Sequence, residues 1–343
     1  MRVAKLVDRN RIDVVELPIP EIINPQDVQI RVMAVGVCGT DLHIFREGRA
    51  DVQLPRVMGH ELSGEVMAVG AQVKRIQVGD RVVLDPVFAC GSCATCMKGY
   101  TNVCENVCCF GVQMDGGYQD YIVVDEKQLY PFDSSISYEE AALAEPFSIA
   151  SNILERTYAS DKDAILIIGC GAIGLSILQT AKAIGARVMV VDIVDKKLGI
   201  AKEMGADQTV NSKTESLRTV AEEFSAGGFD VVIDAVGITP QFMHSLEFAA
   251  PRARVACIGF DSQPVAIPPV MITKKELSII GSRMNCRQFP NAVELLNAGK
   301  IRADMMISKT YSLSDIQKAF EETIADSTGN IKTLILFKQR ESK

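Results

Sequence analysis

Apolar residues up to position 148 occur in short runs that glycine and proline interrupt. The runs include VQIRVMAVGV (28–37), ELSGEVMAVG (61–70), DRVVLDPV (80–87) and YQDYIVV (118–124). Short β-type runs separated by turn-forming residues are typical of a compact barrel of mostly antiparallel strands. We therefore predict such a barrel for residues 1–148.

From residue 149 the pattern changes to apolar strand-like runs that alternate with helical or loop segments. The predicted strands are AILII (164–168), RVMVV (187–191), QTV (208–210), FDVVIDAVG (229–237), ARVACIGF (253–260) and ELSIIGSR (276–283). Six parallel strands joined by crossover helices make a doubly wound α/β sheet. The pattern thus predicts a second, nucleotide-binding domain over residues 149–286.

The segment 287–343 has a third pattern. Two helical stretches, NAVELLNAGKI (291–301) and SLSDIQKAFEETIA (312–325), precede one strand-like run, IKTLILF (331–337). A segment this short buries too little surface to fold alone. We predict that it returns to the first domain and completes it.

The charge balance excludes several classes of partner. The chain has 343 residues, with 36 Lys and Arg against 43 Asp and Glu, and a net charge of −7. Without a dense basic run, a general nucleic-acid or anionic-membrane surface is not expected. Charges scattered through the first residues argue against a secretory signal, and no stretch reaches the roughly 18 apolar residues of a spanning helix. These features predict a cytoplasmic protein that acts on a small molecule.

Four of the ten cysteines lie in one short segment, CGSCATCMKGYTNVC (90–104), separated by two, two and seven residues. In reducing cytosol, clustered cysteines more often bind metal than form disulfides. Four thiolates at this spacing suit a closed, structural zinc site, whereas an iron–sulfur run with its following proline is missing. We predict Cys90, Cys93, Cys96 and Cys104 as ligands, and we treat the neighbouring Cys108 and Cys109 as spare thiols.

A glycine-rich turn, GCGAIG (169–174), follows the strand-like run 164–168 and precedes a helical pattern. The first glycine permits a tight turn, the second admits a pyrophosphate, and the third allows close packing of helix on strand. Asp192 ends the next strand, where its carboxylate can bind a ribose diol and repel a 2′-phosphate. The cofactor predicted is NAD rather than NADP. The candidate binding residues are Gly169, Gly171, Ala172, Ile173, Gly174 and Asp192.

A second metal site is suggested by Cys38 and His60, which offer a soft thiolate and an imidazole. Either Glu61 or Glu145 completes a three-ligand set that leaves a position open for substrate, as in catalytic zinc sites. Adjacent residues of a regular strand point to opposite faces, so His60 and Glu61 reach one ion only at an irregular turn. The pair also fits a buried histidine beside a capping acid, and both interpretations stay open on these residues alone.

Seven motifs occur in the order found in zinc-dependent medium-chain dehydrogenases, and the chain resembles that family along its whole length. The motifs are CGTDLH (38–43), GHELSGEV (59–66), GDRVVLDP (79–86), CGSCATCMKGYTNVC (90–104), DGGYQDY (115–121), AEPFSIA (144–150) and GCGAIGL (169–175). The resemblance implies a GroES-like catalytic domain and a Rossmann NAD-binding domain.

The resemblance also implies roles for individual residues. Asp41 matches the acid that orients the zinc-bound histidine. Thr40 and His43 match the hydroxyl and the imidazole that conduct the substrate proton outward. The implied ligands of the catalytic zinc are Cys38, His60 and Glu61, with Glu145 a ligand or one water away. The segment 90–104 matches the structural zinc lobe, so two zinc ions per subunit are expected.

The resemblance narrows the substrate to a polyol, threonine or sugar-acid branch, because Glu145 stands where zinc alcohol dehydrogenases carry a cysteine ligand. The segment KKELSIIGSRMN (274–285) resembles bacterial hexonate 5-dehydrogenases and their starvation-sensing relatives. Sorbitol dehydrogenases carry a substrate-binding arginine where this chain has Met284, flanked by Arg283 and Asn285. A plain polyol is therefore the weaker candidate, and Arg283 is a candidate for binding a substrate carboxylate bidentately.

These features predict a zinc- and NAD-dependent dehydrogenase that oxidises a secondary hydroxyl of a hexonate such as L-gulonate or L-galactonate. An L-threonine 3-dehydrogenase or a polyol dehydrogenase of the sorbitol or galactitol-phosphate type is the alternative within enzymes. A non-enzymatic NAD(H)-sensing protein is the alternative outside them. The family resemblance further implies a homo-oligomer, either a dimer or a tetramer.

Overall fold

The computed structural model describes residues 1–259, 262–326 and 328–337, which fold into two compact units. The strands are β1 (Arg2–Asp8), β2 (Arg11–Glu16), β3 (Asp27–Val37), β4 (Glu61–Val69), β5 (Arg81–Leu84), β6 (Val87–Phe88), β7 (Cys108–Cys109), β8 (Tyr121–Asp125), β9 (Leu129–Pro131), β10 (Ala164–Ile168), β11 (Arg187–Asp192), β12 (Gln208–Asn211), β13 (Phe229–Asp234), β14 (Ala249–Cys257), β15 (Ser278–Gly281), β16 (Ile307–Ser312) and β17 (Lys332–Leu336).

The helices are short. They are α1 (Gly39–Glu47), α2 (Ala94–Met97), α3 (Tyr138–Ala142), α4 (Ala144–Arg156), α5 (Ala172–Ala183), α6 (Asp195–Glu203), α7 (Leu217–Phe224), α8 (Thr239–Phe248), α9 (Pro269–Thr273), α10 (Phe289–Asn297) and α11 (Ile316–Ala325). Within the described ranges, none of them has the length and apolar character that a membrane crossing requires.

The first unit is built on a largely antiparallel sheet. Its strands lie in the order β16-β17-β3-β4-β5-β9, and β8 also pairs with β3. Buried and partly buried positions alternate along most of β3, as expected for a strand with one face on the core. The mostly antiparallel architecture predicted for the first part of the chain is confirmed.

The segment 332–336, strand β17, belongs to this first sheet. β17 pairs with β3 in antiparallel register, with Thr333 opposite Val37 and Leu334 opposite Gly36. Helix α11 packs beside it and inserts Phe320 into the core, with its ring centroid 5.2 Å from that of Phe45. The strand pairing therefore puts Lys332, the first residue of β17, next to the point where β3 ends.

The compact units differ slightly from the predicted domains 1–148, 149–286 and 287–343. The first unit comprises Met1–Glu145, Phe289–Ala298 and the described residues from 303 onward, whereas Gly299–Arg302 join the second unit. The backbone N–H of Arg302 donates to the buried side chain of Gln179 at 2.5 Å, which ties this short segment to the second unit. Residues 327 and 338–343 of the predicted C-terminal segment lie outside the described residues, and the domain boundaries stay a prediction.

Among the described residues, the second unit contains a six-stranded parallel sheet in the order β12-β11-β10-β13-β14-β15. The central strand β10 is buried at every position, which is typical of a parallel strand covered on both faces. Strand order reverses between β10 and β13, and ligands bind at such a switch point in doubly wound sheets. The predicted α/β sheet is confirmed, although Phe260, the last residue of one predicted strand, lies outside the described residues.

We expect Phe320→Ala to destabilise the first unit, because Phe320 is fully buried against the Phe45 and Tyr118 rings. Truncating such a residue costs about 3–5 kcal/mol of unfolding free energy. Urea denaturation measures the loss, and Ile23→Ala at an exposed position is the control. A loss of unfolding free energy below about 1 kcal/mol would contradict the conclusion that the segment carrying Phe320 is part of the core of the first unit.

Candidate functional site

The four predicted thiols converge in the loop between β6 and β7. The Cys90 and Cys104 sulfurs lie 3.5 Å apart, and the Cys90–Cys96 and Cys93–Cys104 sulfur pairs are each 3.9 Å apart. A tetrahedral zinc with bonds of about 2.3 Å separates its sulfurs by about 3.8 Å. The donor atoms therefore have the chemistry and the spacing of a closed zinc site.

Backbone N–H groups surround these sulfurs. The N–H of Cys93 donates to Cys90 Sγ at 3.4 Å, and the N–H of Asn106 donates to Cys104 Sγ at 3.3 Å. The N–H groups of Ser92 and Cys93 lower the pKa of the Cys90 thiol to about 6. These N–H groups thus favour the thiolate form of Cys90, whereas burial raises the pKa of the Cys96 thiol to about 12.

The two neighbouring thiols lie elsewhere. Cys108 and Cys109 form β7, which pairs with β6, and neither belongs to the group of four sulfurs. Burial raises the pKa of the Cys109 thiol to about 12. The sulfur of Cys104, rather than that of Cys108 or Cys109, lies with the other three, and its role as the fourth ligand stays a prediction.

Cys38, His60 and Glu61 form the second candidate metal group, with ligand atoms within 4.8 Å of one another. Cys38 follows β3, where it precedes α1, and Glu61 opens β4. His60 lies just outside the strand, after Gly59 with its φ of 90°. The irregular turn needed for two adjacent residues to reach one point is therefore present.

The position of the Glu61 carboxylate depends on Gly36. The two residues are paired across β3 and β4, and a Cβ built on Gly36 would lie 2.0 Å from Glu61 Oε2. Any other residue at position 36 would occupy the space of the carboxylate. A glycine in the β3 strand thus allows Glu61 to turn toward Cys38 and His60.

A fully buried acid, Asp41, faces the histidine. Its Oδ1 lies 3.6 Å from His60 Nδ1. Its Oδ2 accepts hydrogen bonds from the Cys38 N–H at 3.1 Å and from the Tyr118 hydroxyl at 3.0 Å. The predicted partner of the histidine is therefore close to it, and Tyr118 is a contact that sequence reasoning missed. A tyrosine after two glycines carries no local signal of such a role.

Lys332 is a second residue that sequence reasoning missed. Its Nζ donates to both carboxylate oxygens of Glu61, at 2.6 and 2.7 Å, and both side chains are buried. Burial lowers the pKa of Lys332, but the charges of Glu61, Cys38 and Glu145 and the hydrogen bonds to Glu61 together outweigh burial, so the net shift of the pKa is upward. A charged residue inside the apolar run IKTLILF was the available signal.

Glu145, the rival third ligand, lies outside the group of three ligand atoms. It is the second residue of α4 and is 5% exposed. Burial raises its pKa to about 7, and the charges of His60, Glu61 and Lys332 act on it as well. Glu145 therefore belongs to the same buried electrostatic environment without joining the cluster of donor atoms.

The electrostatics of this region fit a bound cation. Burial lowers the pKa of His60, yet the charges of Cys38, Asp41 and Cys109 and a hydrogen bond with Cys38 together outweigh burial and raise that pKa well above its usual value. Buried carboxylates such as Asp41 and Glu61 are stabilised by a paired cation or a metal, and Glu61 already has Lys332 as one such partner. Among divalent metals, a donor set of thiolate, imidazole and carboxylate suits zinc. The residues present therefore fit zinc.

The two residues of the predicted proton path share helix α1. Thr40 is half-buried, and His43 follows it by three residues, a spacing that puts both on one side of a helix. His43 is exposed, and its Nδ1 lies 3.4 Å from Glu47 Oε2. The histidine thus has contact with solvent, while the path between the two residues stays a prediction.

The glycine-rich turn has a tight backbone and a close helix–strand approach, and binding of a pyrophosphate by it stays a prediction. Gly169 has a φ of 106°, and a Cβ on Gly174 would lie 1.9 Å from the Gly169 carbonyl oxygen. Gly171 precedes α5, and a Cβ built there meets no described atom within 4 Å. The helix therefore begins beside open space, with N–H groups available for a phosphate. Ala172 and Ile173 form its first turn.

Asp192 is held rigidly at the end of β11. Its Oδ2 accepts the Cys170 N–H at 2.6 Å, and its Oδ1 accepts the N–H groups of Ile193 at 2.7 Å and Val194 at 3.0 Å. A carboxylate has about four acceptor sites, so this one can still receive ribose hydroxyls. The turn and the acid together fit a dinucleotide.

Arg283 is exposed in the loop after β15, within the second unit. Met284 beside it has a φ of 48°, and its carbonyl accepts a hydrogen bond from the Asn152 side chain at 3.2 Å. The backbone of Met284 is therefore in the left-handed region, and Asn152 holds its carbonyl. Binding of a substrate carboxylate by Arg283 stays a prediction.

We expect Cys93→Ser to remove one zinc per chain and to lower the melting temperature by about 5–10 °C, because structural zinc binding is coupled to folding. Elemental analysis and calorimetry measure the two effects. The matched control is Cys108→Ser, an exposed thiol in the neighbouring strand β7 that lies outside the cluster. Wild-type zinc content and melting temperature in the Cys93 variant would rule out the site.

Comparison with known proteins gives two domain matches and several full-length relatives. Residues 24–134 match the alcohol dehydrogenase GroES-like domain, and residues 172–298 match the zinc-binding dehydrogenase domain. Sorbitol dehydrogenase of Bacillus subtilis (strain 168) is 33% identical over 347 residues, covering 98% of this chain and 97% of that protein. L-idonate 5-dehydrogenase of Vitis vinifera is 32% identical over 312 residues, covering 87% and 85%.

A solved structure extends the likeness to three dimensions. It is that of rspB from E. coli CFT073, described as a short chain alcohol dehydrogenase complexed with NADH. It matches with a TM-score of 0.91 and 33% identity over 98% of this chain and 99% of that chain. These matches confirm the GroES-like and Rossmann architecture that the motifs implied. The chain belongs to the zinc-dependent medium-chain dehydrogenases.

Proposed function

We propose that the protein is an NAD-dependent dehydrogenase that oxidises a secondary hydroxyl of a hexonate, such as L-gulonate or L-galactonate, to the keto acid. The observation that carries the reaction class is the cluster of half-buried Cys38 with buried His60 and Glu61, with Asp41 behind the histidine. The similarity to L-idonate 5-dehydrogenase supports a sugar acid as substrate. The exposed guanidinium of Arg283 is our candidate for its carboxylate.

In this proposal Cys38, His60 and Glu61 hold the catalytic zinc, because their donor atoms cluster and those of Glu145 do not. When bound, zinc supplies Lewis acidity toward the substrate hydroxyl and NAD accepts the hydride. The hydroxyl proton leaves through Thr40 and His43, and the imidazole releases it to solvent. Asp41 fixes the orientation and the tautomer of His60.

The remaining parts follow from the second zinc group and the glycine loop. The cysteines of segment 90–104 hold a structural zinc, which gives two zinc ions per subunit. The Asp192 carboxylate selects NAD, and the NADH complex of the rspB relative supports that cofactor. Thiolate ligands need a reducing compartment, which supports a cytoplasmic location. We also propose a homo-oligomer, a dimer or a tetramer, on the family resemblance.

Polyol oxidation is the second candidate. The similarity to sorbitol dehydrogenase favours it, and the zinc and NAD residues serve both reactions equally. The difference lies in the loop after β15, where Met284 replaces the arginine that sorbitol dehydrogenases carry. A methionine cannot donate hydrogen bonds to a polyol, so we rank the sugar acid first.

We expect NADH formation with a hexonate and much slower turnover of pentitols, hexitols, L-threonine and simple alcohols by the zinc-loaded protein. Absorbance at the NADH band measures the rates, and chelation should abolish them. Cys38→Ser is the inactive control, because it removes one ligand without a large change in volume. Faster turnover of a polyol or threonine would contradict the proposed hexonate substrate. No NADH formation with any of these compounds would favour an NAD(H) sensor.

We expect Asp192→Asn to shift the ratio of kcat/KM values for NAD and NADP toward NADP by about tenfold or more, since like-charge juxtaposition costs several kcal/mol. The amide keeps one acceptor oxygen while removing the charge that opposes a 2′-phosphate, and its NH2 group can no longer accept the N–H groups on the other side of the side chain. Steady-state kinetics with both cofactors measures the ratio. Asp161→Asn, an exposed acid of the same unit, is the control. An unchanged ratio would show that Asp192 does not select the cofactor.

A further inference from the structure

The hydroxyl of Tyr118 is connected to the His60 imidazole through one residue, Asp41. Tyr118 is 1% exposed, and its hydroxyl donates to Asp41 Oδ2 at 3.0 Å. The other oxygen of the same carboxylate, Oδ1, is the one 3.6 Å from His60 Nδ1. The Gly36 carbonyl is a second acceptor at 3.2 Å, but the carboxylate is nearer and charged, so it takes the larger share of the single hydroxyl proton.

The backbone of Tyr118 is attached to the segment that carries the histidine. The N–H groups of Gly116, Gly117 and Tyr118 donate to the carbonyls of residues 57, 59 and 58, at 2.8, 2.7 and 3.0 Å. A Cβ on Gly59 would lie 3.1 Å from the Tyr118 ring. Tyr118 is therefore held against the segment 57–59, which directly precedes His60 in the chain.

The side chain of Tyr118 reaches the other ligand-bearing segment. Asp41 lies in α1, three residues after Cys38, and it is fully buried. Its Oδ2 has two described donors, the Cys38 N–H and the Tyr118 hydroxyl. Two donors on one oxygen oppose rotation of the carboxylate, which keeps Oδ1 directed at the imidazole. Tyr118 thus joins the segments 38–41 and 57–60, which are distant in sequence.

We propose that Tyr118 is a positioning residue for the catalytic metal: its hydroxyl holds the Asp41 carboxylate in the orientation that presents Oδ1 to His60 Nδ1 and leaves Nε2 for zinc. The inference rests on the proposed zinc site of Cys38, His60 and Glu61. It assigns no contact with substrate to Tyr118. The effect on the metal passes through Asp41, as outer partners of a ligand act through the ligand.

The first test is Tyr118→Phe, which removes the hydroxyl and keeps the ring packed on Phe320. We expect one of the two zinc ions to dissociate about tenfold more readily, since partners outside the ligand shell affect metal affinity by about 10–100-fold. Competition with a chelator of known zinc affinity measures both ions. The zinc of the four cysteines is an internal control and should be unchanged.

A matched variant distinguishes loss of the Tyr118 hydroxyl from a general effect of replacing a tyrosine by phenylalanine. Tyr130→Phe alters a partly buried tyrosine of the same unit whose ring stacks on Phe289. It should leave both zinc affinities at the wild-type value. Equal zinc affinities in wild type and Tyr118→Phe would overturn the proposal, as would an equal loss from both metal sites, which indicates a general structural role.

A double-mutant cycle tests the route through Asp41. We expect Asp41→Asn alone to weaken the same zinc ion, and we expect Tyr118→Phe to add less than about twofold in that background, because its target charge is gone. Additive effects would mean that Tyr118 does not act through Asp41. The visible spectrum of the cobalt-substituted protein is a second readout, and Tyr118→Phe should change the bands of the cysteine–histidine site.

The zinc measurements need no substrate, which keeps this inference separate from the proposed reaction. A wild-type protein that binds both zinc ions but oxidises no hexonate leaves the Tyr118 result interpretable and overturns the substrate alone. A wild-type protein that binds zinc in the cysteine loop alone overturns both the proposed catalytic site and the role of Tyr118.

Discussion

The buried ion pair between Lys332 and Glu61 is the interaction on which the candidate active site depends. Lys332 opens β17, Glu61 opens β4, and their side chains are 3% and 1% exposed. Removing one member of such a pair leaves the other charge buried without a partner and lowers the free energy of unfolding by about 3–5 kcal/mol. The pair therefore requires β17 to lie beside β3, and it holds Glu61 where Cys38 and His60 converge.

Different interactions position the candidate ligands of the two metal sites. In the loop 90–104, backbone N–H groups of nearby residues hold the sulfurs, so the arrangement is local and partly exposed. Around His60, order comes from residues that meet through tertiary structure: Asp41, Tyr118, Glu61 and Lys332. The first arrangement suits a metal that stabilises a loop. The second suits a metal whose reactivity is set by buried charges.

The nucleotide site has the same mixture of local and long-range order. Gly169 and Gly174 meet because the chain turns sharply between β10 and α5, which the motif alone determines. Asp192 reaches the Cys170 N–H because β11 is the parallel neighbour of β10, with Ile168 opposite Val191. A short motif and one strand pairing together produce a site at the switch point of the sheet.

The sequence by itself determined the alternation of strands, the cysteine loop and the glycine turn, because each depends on residues that are close in the chain. It also predicted Cys38, His60 and both rival glutamates as candidate ligands, although it left the choice between Glu61 and Glu145 open. Lys332 is 271 residues from Glu61, and Tyr118 is 77 residues from Asp41. Only tertiary structure decided those contacts, because strand pairing and burial, rather than local spacing, bring such residues within hydrogen-bonding distance.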